Sequence, residues 1–147
     1  MIYSEASKGR VFVIRLEDGD IIHEKIEALA IQHNIKCASL ITLGGVDKGS
    51  ILITGPENGR AEKIVPTETI LEEAYEVTGT GTIFPDKNGI PRLHMHISCG
   101  RKGKSITGCI RRGVKVWLVL EVILSELTDC SAGRLPDEAS GFDLLIP

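Results

Sequence analysis

The fold can be inferred first from residues 76–110, EVTGTGTIFPDKNGIPRLHMHISCGRKGKSITGCI, which contain three strand-like runs separated by turn sequences. The first turn carries Asn88-Gly89, a dipeptide that is typical of tight β-hairpins. The second run, LHMHIS at residues 93–98, is followed by a glycine-bounded turn at residues 100–103 and then by the third run. Strands joined by short hairpins predict an antiparallel sheet.

One amphipathic helix is predicted upstream of this region. In DIIHEKIEALAIQHN, residues 20–34, apolar side chains recur at helical spacing and most polar side chains lie outside the apolar stripe. Asp20 is the expected N-cap, and Asn34 suits the C-terminal turn. The side chains expected to be buried are Ile22, Ile26, Leu29 and Ala30.

Four further strand-like runs extend the predicted sheet. Residues 10–16 are rich in β-branched side chains, and residues 36–55 contain two apolar runs divided by glycine-containing turns. Residues 114–127 are long and β-branched, which predicts a central strand. The polar residues 56–74 have room for a short strand or a helical turn. The tail, residues 129–147, ends in apolar side chains and is expected to dock on the body of the protein.

Together these elements predict an α+β fold, in which a largely antiparallel sheet carries one main helix on one face, in a single domain over residues 1–147. Alternation along the long strand predicts that the helix covers the side formed by Val116, Leu118, Leu120, Val122 and Leu124. The other side should be covered by a neighbouring subunit, and it consists of Trp117, Val119, Glu121 and Ile123.

Composition excludes several classes of protein. The chain of 147 residues has a formal net charge of -3 and 25% charged residues, so no overall basic field points to nucleic acid. The N-terminus lacks the apolar core of a secretory signal, and the longest apolar run is interrupted by Glu121, which predicts a protein without a membrane span. Four cysteines without a CxxC pair predict free thiols in a reducing cytoplasm.

The sequence LHMHISCG, residues 93–100, places two histidines on one strand. Because side chains alternate across a strand, His94 and His96 share one face, whereas Cys99 falls on the opposite, apolar face with Met95. A free cysteine in that position is expected to act as a small buried hydrophobe. The two imidazoles are therefore either metal ligands or solvated or interface side chains.

A third ligand is predicted on the strand that follows. If the hairpin closes through a two-residue loop at positions 101–102, Cys109 lies opposite His94 and Thr107 lies opposite His96. The two histidines and Cys109 would then supply three positions of a tetrahedral zinc site and leave the fourth open. A register shift of one residue would remove Cys109 from this face.

The segments at residues 10–46, 76–110 and 116–127 together resemble the PPC (plants and prokaryotes conserved) domain family. The tail motif RLPDEASGFDLL, residues 134–145, also looks like the C-terminal segment of that family. The resemblance implies an α+β domain that assembles as a homotrimer, with the HxH strand near a subunit boundary.

The predicted third ligand departs from the family pattern. In many bacterial and archaeal members, the strand after the HxH carries a Gly-Gly-His motif, and the three histidines look able to hold a metal. Here that motif reads Thr107-Gly108-Cys109. A thiolate still ligates zinc, but it favours softer metals and makes the site less electrophilic. Cys109 therefore either preserves the site with an altered preference or marks its loss.

The same architecture is similar to a domain of acetolactate decarboxylase, whose zinc is held by an HxH and a later histidine. This similarity implies an alternative function as a zinc-dependent, lyase-like enzyme acting on a small oxo or hydroxy acid. Candidates to clamp a carboxylate or carry a proton are Arg111, Arg112, Arg134, Glu121 and Glu138. The predicted ligand-binding residues are Thr107, Arg111, Arg134 and Glu138. Each charged candidate also suits a solvated turn or an intersubunit ion pair.

A DNA-binding function is the alternative from another class. Plant relatives are associated with DNA, but their contact is made by AT-hook segments built around Arg-Gly-Arg-Pro, and no such segment occurs here. Basic clusters at residues 101–104 and 111–115 could form a local positive patch when repeated around a trimer. Nucleic acid is therefore an alternative partner. The favoured prediction is a homotrimer that binds a small ligand, with zinc as the candidate cofactor.

Overall fold

The computed structural model describes residues 1–111, 113–138 and 140–147. Within these residues the chain forms ten strands and one helix. In chain order they are β1 (Ser7–Glu17), α1 (Ile22–Gln32), β2 (Cys37–Val46), β3 (Ile51–Pro56), β4 (Pro66–Ile70), β5 (Tyr75–Pro85), β6 (Pro91–Arg101), β7 (Lys104–Ile110), β8 (Val116–Thr128), β9 (Gly133–Asp137) and β10 (Phe142–Ile146).

Eight of the strands form one sheet in the order β1-β8-β2-β5-β6-β7-β3-β4, and every neighbouring pair is antiparallel. The remaining strands, β9 and β10, pair as a separate hairpin formed by the tail. The predicted α+β fold with one helix and an antiparallel sheet is confirmed. No helix in the described part of the chain is long and apolar enough to cross a membrane.

Helix α1 covers one face of the main sheet, here called the covered face. Its stripe is buried as predicted at Ile22, Ile26 and Ala30. Asn34 follows the helix with a φ of 56°, as suits a C-terminal turn. The predicted N-cap is wrong, because the helix is preceded by Ile21 and has no side-chain cap. The Asp20 carboxylate instead accepts the Glu17 backbone N–H and pairs with Lys25.

The core lies between α1 and the aliphatic side chains of the covered face. Strand alternation directs every second residue of each strand into it, which explains the alternating burial along β6 and β8. Members from the sheet include Leu40, Val77, Ile83, Met95, Ile97, Cys99, Ile110, Leu120, Val122 and Leu124. The burial of Cys99 confirms its predicted separation from the histidines, and burial raises the pKa of its thiol to about 12.

Glycines in β5 allow this strand to approach β6 closely. A Cβ added at Gly79 would lie 2.5 Å from the His96 carbonyl oxygen, and one added at Gly81 would lie 2.9 Å from the Met95 Cβ. Neither distance is tolerable for a real side chain. Glycine at positions 79 and 81 is therefore required for β5 to pack against β6, the strand that carries both histidines.

The long strand β8 lies inside the sheet, between β1 and β2, but its alternation is interrupted. Leu118 was predicted to be buried, and it is instead 59% exposed with a φ of 59°. Its backbone N–H donates to an Asp18 carboxylate oxygen. Because of this local left-handed conformation, Leu118 is exposed where the alternation of β8 would place a buried residue, and the alternation resumes at Leu120. Glu121 is exposed on the face opposite α1, across from Arg15.

The β6–β7 hairpin closes one residue later than predicted. Lys102 and Gly103 form the loop with φ values of 49° and 74°, so Arg101 pairs with Lys104. A two-residue turn with positive φ at both positions favours glycine at the second, and a loop at 101–102 would contain none. The predicted pairing of Cys109 with His94 is therefore wrong.

The observed register still keeps Cys109 on the predicted face. Cys109 pairs with His96, and Thr107 pairs with Ser98 rather than with His96. The pairing differs from the prediction by two residues, and side chains alternate with a period of two, so no side chain changes face. The ligand set survives the error in register for this reason.

The tail docks on the body, as predicted. The β9–β10 hairpin packs against the end of β5, where Ala132, Phe84 and Cys37 form a small second core. The apolar side chains of β10 are nevertheless between 37% and 44% exposed, and they are Phe142, Leu144, Leu145 and Ile146. Docking therefore buries the start of the tail more completely than its last strand.

Candidate metal centre

His94 and His96 lie side by side on the face of the sheet that α1 does not cover, here called the open face. Their Nε2 atoms are 3.2 Å apart, and their rings are inclined at 71°. Alternation along β6 creates this proximity, because it directs both imidazoles to the same side with one residue between them. Each ring thus presents one nitrogen to a shared point.

Cys109 completes a cluster of three donor atoms. Its Sγ and one ring nitrogen from each histidine all lie within 4.8 Å of one another. In a tetrahedral zinc site with Zn–N bonds of about 2.0 to 2.1 Å, two ligand nitrogens are about 3.3 Å apart. The observed separation of 3.2 Å between the imidazole nitrogens fits that geometry. The donor set therefore suits a metal ion with an open coordination position.

The protonation states of the ligands depend on burial and on two nearby arginines. Burial lowers the pKa of His94, and the positive charges of Arg134 and Arg111 lower it further. A lowered pKa keeps the imidazole neutral near pH 7, which is the form that binds metals. Burial raises the pKa of the Cys109 thiol, and the same two arginines partly oppose that rise. A metal ion would therefore have to displace the thiol proton.

Arg134 reaches this cluster from β9. Its Nη2 donates a hydrogen bond to the Thr82 hydroxyl at 3.0 Å, and its guanidinium lies 5.8 Å from the centre of the Phe84 ring. Its Nε is buried and has no hydrogen-bond partner among the described residues. Burial lowers the pKa of this guanidinium. The hydrogen bond to Thr82 thus fixes the guanidinium, whereas its Nε donor lacks an acceptor among the described residues.

Arg111 approaches from the end of β7. Its guanidinium lies 5.8 Å from the centre of the Phe142 ring, so the tail also contacts this second arginine. Both arginines border a cavity of about 590 Å³ between β6, β7 and the tail hairpin. Other residues that line it include His94, Cys109, Phe142 and Leu144. A shallower hollow of about 600 Å³ lies on the open face beside both histidines.

The other predicted site residues lie farther from the donor cluster. Thr107 hydrogen-bonds with Ser98, two residue pairs away from the His96–Cys109 pair along the hairpin. Glu138 is exposed in the turn between β9 and β10 and does not line the cavity beside Cys109. Arg112 lies outside the described residues. The structure therefore brings Arg111 and Arg134, but neither Thr107 nor Glu138, to the cavity beside the ligands.

Two residues at the site were missed by sequence reasoning. Thr82 holds Arg134 and pairs with His94 across the β5–β6 hairpin. Its position follows from the β5–β6 register, in which Pro85 pairs with Pro91 and Thr82 with His94. Phe142 is one of the apolar residues at the end of the tail, and no sequence pattern connects it with Arg111.

The site sits in a domain with known relatives. Residues 3–128 match the Plants and Prokaryotes Conserved (PCC) domain, the family abbreviated PPC above. The chain belongs to this family. The predicted resemblance is thereby confirmed for most of the sequence, and the tail hairpin lies beyond the matched range. No curated protein matches the sequence.

Solved structures share the fold of this PPC-domain protein. A plant- and prokaryote-conserved protein from Pyrococcus horikoshii is 23% identical, with a TM-score of 0.84 and coverage of 100% of this chain and 98% of that one. A metal-containing protein from Archaeoglobus fulgidus is 22% identical, with a TM-score of 0.86 and full coverage of both chains. A Bacteroides thetaiotaomicron protein proposed to bind DNA is 16% identical, with a TM-score of 0.76 and coverage of 96% of each chain.

Proposed function

We propose that this PPC-domain protein is a homotrimer that binds a zinc ion through His94, His96 and Cys109 and a small ligand beside it. The observation that carries the proposal is the convergence of two imidazole nitrogens and one sulfur within 4.8 Å. The metal-containing relative from Archaeoglobus fulgidus has the same fold and gives further support. Zinc is favoured because its protein sites combine histidine and cysteine ligands in tetrahedral geometry.

The residues of the chain define what such a site would do. His94 and His96 would supply two adjacent ring nitrogens as ligands, and Cys109 would add a negatively charged sulfur after loss of its proton. Bound zinc supplies Lewis acidity, which a thiolate ligand weakens in comparison with a third histidine. Arg111 and Arg134 border the cavity that adjoins His94 and Cys109, so a small ligand bound there would lie beside both the donor cluster and two positive charges.

The homotrimer is proposed from the open face, which carries large apolar side chains in contact with solvent. Val13 is 84% exposed, and Ile41 and Leu43 are 55% and 54% exposed. Trp117 and Val119, which were expected to be covered by a neighbour, are only half-buried, and Ile123 is exposed. Contiguous apolar surface of this kind is typical of interfaces. Two further copies of the chain are its proposed cover, as the family resemblance implies.

Metal analysis tests the central proposal. Protein purified without an affinity tag should contain about one zinc ion per chain, measured by elemental analysis after removal of loosely bound ions. The double variant His94→Ala/His96→Ala should lose that metal. The variant His33→Ala is the matched control, because His33 lies at the end of α1 away from the cluster and should leave the stoichiometry unchanged. Full metal content in the double variant would refute the site.

DNA binding is the second candidate function. The turn residues Arg101, Lys102 and Lys104 border one surface hollow with Trp117, which combines positive charge with an aromatic ring. The relative from Bacteroides thetaiotaomicron also favours this function. Glu73 and Glu76 line the same hollow, however, and reduce its positive potential. Binding to duplex DNA that persists at moderate salt and depends on Arg101 and Lys102 would rank this function above metal binding.

A further inference from the structure

The Arg134 guanidinium is a partly buried positive charge with an unsatisfied donor. Its Nη2 donates to the neutral Thr82 hydroxyl, and its Nε is buried and has no acceptor in the part of the chain that the structure describes. None of the ion pairs found among the described residues involves Arg134. A half-buried charge that forms no close ion pair is less well stabilised than a paired one, and a buried donor without an acceptor adds to that cost. The position calls for an anionic acceptor.

Charge at the neighbouring site points in the same direction. Arg111 and Arg134 line the same cavity as His94 and Cys109, so two positive charges adjoin the donor cluster. A divalent metal with a single thiolate would add further positive charge to this corner of the cavity. Asp143 also lines the cavity and lies near Arg134, but it forms no ion pair with it among the described residues. Beside the donor cluster, two guanidinium groups and the Asp143 carboxylate line the cavity, so an anionic ligand would complete the local charge balance.

The walls of the cavity restrict the size and shape of that anion. The cavity, of about 590 Å³, is open to solvent. Its apolar wall is formed by Phe142, Leu144 and Leu145 from the tail. The acidic residues Glu27 and Asp86 line the far end, where both pair with Arg92. Nη2 of Arg134 is engaged by Thr82 and Nε is buried, so a carboxylate in the cavity would bind to the remaining N–H groups of the guanidinium through charge-assisted hydrogen bonds. A small carboxylate with a short apolar substituent fits both features.

We infer that the cavity between β6, β7 and the tail hairpin is a carboxylate subsite in which Arg134 is the principal anion-binding residue and Arg111 the second. The inference rests on the proposed function only for the neighbouring metal ion, since both arginines are in place without it. It identifies the ligand class as a small aliphatic monocarboxylate. Arg134 and Phe142 lie beyond residues 3–128, so the family match does not assign this subsite.

Propionate and its neutral isostere propionamide are suitable probes for the full-length protein. Ligand-observed NMR titrations should detect propionate binding, with propionamide at least about tenfold weaker because it lacks the charge that Arg134 recognises. Arg134→Gln should weaken propionate binding at least about tenfold, and Arg134→Lys should weaken it less. Arg60→Gln removes the same charge from an exposed loop and should have no effect. Equal affinity of wild type and Arg134→Gln for propionate would overturn the subsite.

A second measurement avoids the risk that Arg134→Gln disturbs the tail hairpin. In ¹⁵N-labelled wild-type protein, the Arg134 Nε–H resonance should shift on addition of propionate and not of propionamide. Shifts confined to other arginines would refute the assignment. Inorganic phosphate should compete with propionate less effectively than acetate does, because its higher charge would lie near Asp143 and against the apolar side chains of Phe142 and Leu144. Stronger competition by phosphate would reassign the subsite to phosphate-like ligands and overturn the carboxylate inference.

The same titrations separate this inference from the proposed metal site. Metal-stripped protein should still bind propionate through its arginines, although more weakly than metal-loaded protein. Zinc content that matches wild type in Arg134→Gln, together with weakened propionate binding, would support both conclusions. Zinc binding without any propionate binding would refute the carboxylate subsite alone. Propionate binding without any zinc binding would refute the metal proposal alone.

Discussion

The two faces of the main sheet use similar aliphatic residues for different purposes. On the covered face, side chains such as Leu120 and Val122 are fully buried beneath α1 and its neighbouring loops. On the open face, Val13, Ile41 and Leu43 remain in contact with solvent and are interspersed with threonines and both histidines. Alternation produces both faces from the same strands, so residue type alone does not distinguish a core from an interface.

What distinguishes the faces is the polar content between the apolar side chains. The covered face contains few polar groups, and Glu126, at its edge, is paired with Arg10. The open face collects the imidazoles, the Cys109 sulfur and the arginines that border them. A surface that combines apolar side chains with metal-binding groups is suited to a partner and a ligand rather than to a dry core.

The largest effect is expected from truncation within the covered face. Ile26→Ala removes a fully buried side chain of α1 and should lower the free energy of unfolding by about 3 kcal/mol, because it leaves a cavity against the sheet. Chemical denaturation measures the change. Ile31→Ala alters the same helix at an exposed position and should cost well under about 1 kcal/mol. Equal losses for the two variants would contradict the assignment of the faces.

The open face should gain its stability from ligands instead. Removal of the metal by a chelator should lower the free energy of unfolding of wild-type protein by about 2.7 kcal/mol, relative to metal supplied at 100 times its dissociation constant. The same treatment should leave His94→Ala/His96→Ala unchanged. Thermal and denaturant unfolding with and without chelator measure both values. A chelator effect of equal size in the double variant would locate the metal elsewhere.

A charge placed on the open face should affect assembly more than folding. Leu43→Lys puts a charge among exposed apolar side chains and should convert the trimer to a monomer in sedimentation experiments, with little loss of far-ultraviolet circular dichroism. Ile31→Lys places the same charge on the outer side of α1 and should leave the trimer intact. A wild-type protein that is monomeric at micromolar concentration would refute the proposed interface.

The smallest effect concerns the ion pair at the edge of the covered face. The Glu126 carboxylate accepts hydrogen bonds from Arg10 Nε and Nη2 at 2.7 and 2.8 Å, and these bonds lower its pKa. The Glu126 carboxylate therefore binds a proton more readily in the unfolded chain than in the folded protein. The stabilisation by the ion pair is complete above the unfolded pKa of about 4.5 and is lost as pH falls through the lower pKa of the folded protein. Glu126→Gln should reduce the loss of stability between neutral and acidic pH. An unchanged pH profile would contradict the role of the pair.

Much of the fold could be predicted because it depends on local patterns. The strands, the stripe of α1 and the opposite orientations of Cys99 and His96 all follow from periodicity. The predicted hairpin register was wrong because alternation does not specify where a turn begins, whereas the positive φ of Gly103 does. Leu118 was misplaced because a single left-handed residue interrupts the alternation of β8.

The carboxylate subsite was less accessible to sequence reasoning. Arg134 was identified as a candidate by its charge and position in the tail, but Thr82, which holds it, lies 52 residues earlier in the chain. Glu138 was a candidate for the same reasons, its charge and its position in the tail, but it does not line the cavity. Long-range docking of a hairpin decides between such candidates, and no local pattern encodes it.

The tail hairpin has a consequence for how this domain can diversify. The candidate metal ligands belong to β6 and β7, inside the range shared with the family, whereas Arg134 and Phe142 are contributed by residues after 128. Mutation of the tail can therefore change the preferred ligand while the ligand-holding strands keep their sequence. Paralogues with the same scaffold but different tails should accordingly differ in the ligands that they bind, and exchange of tails between them should transfer that preference.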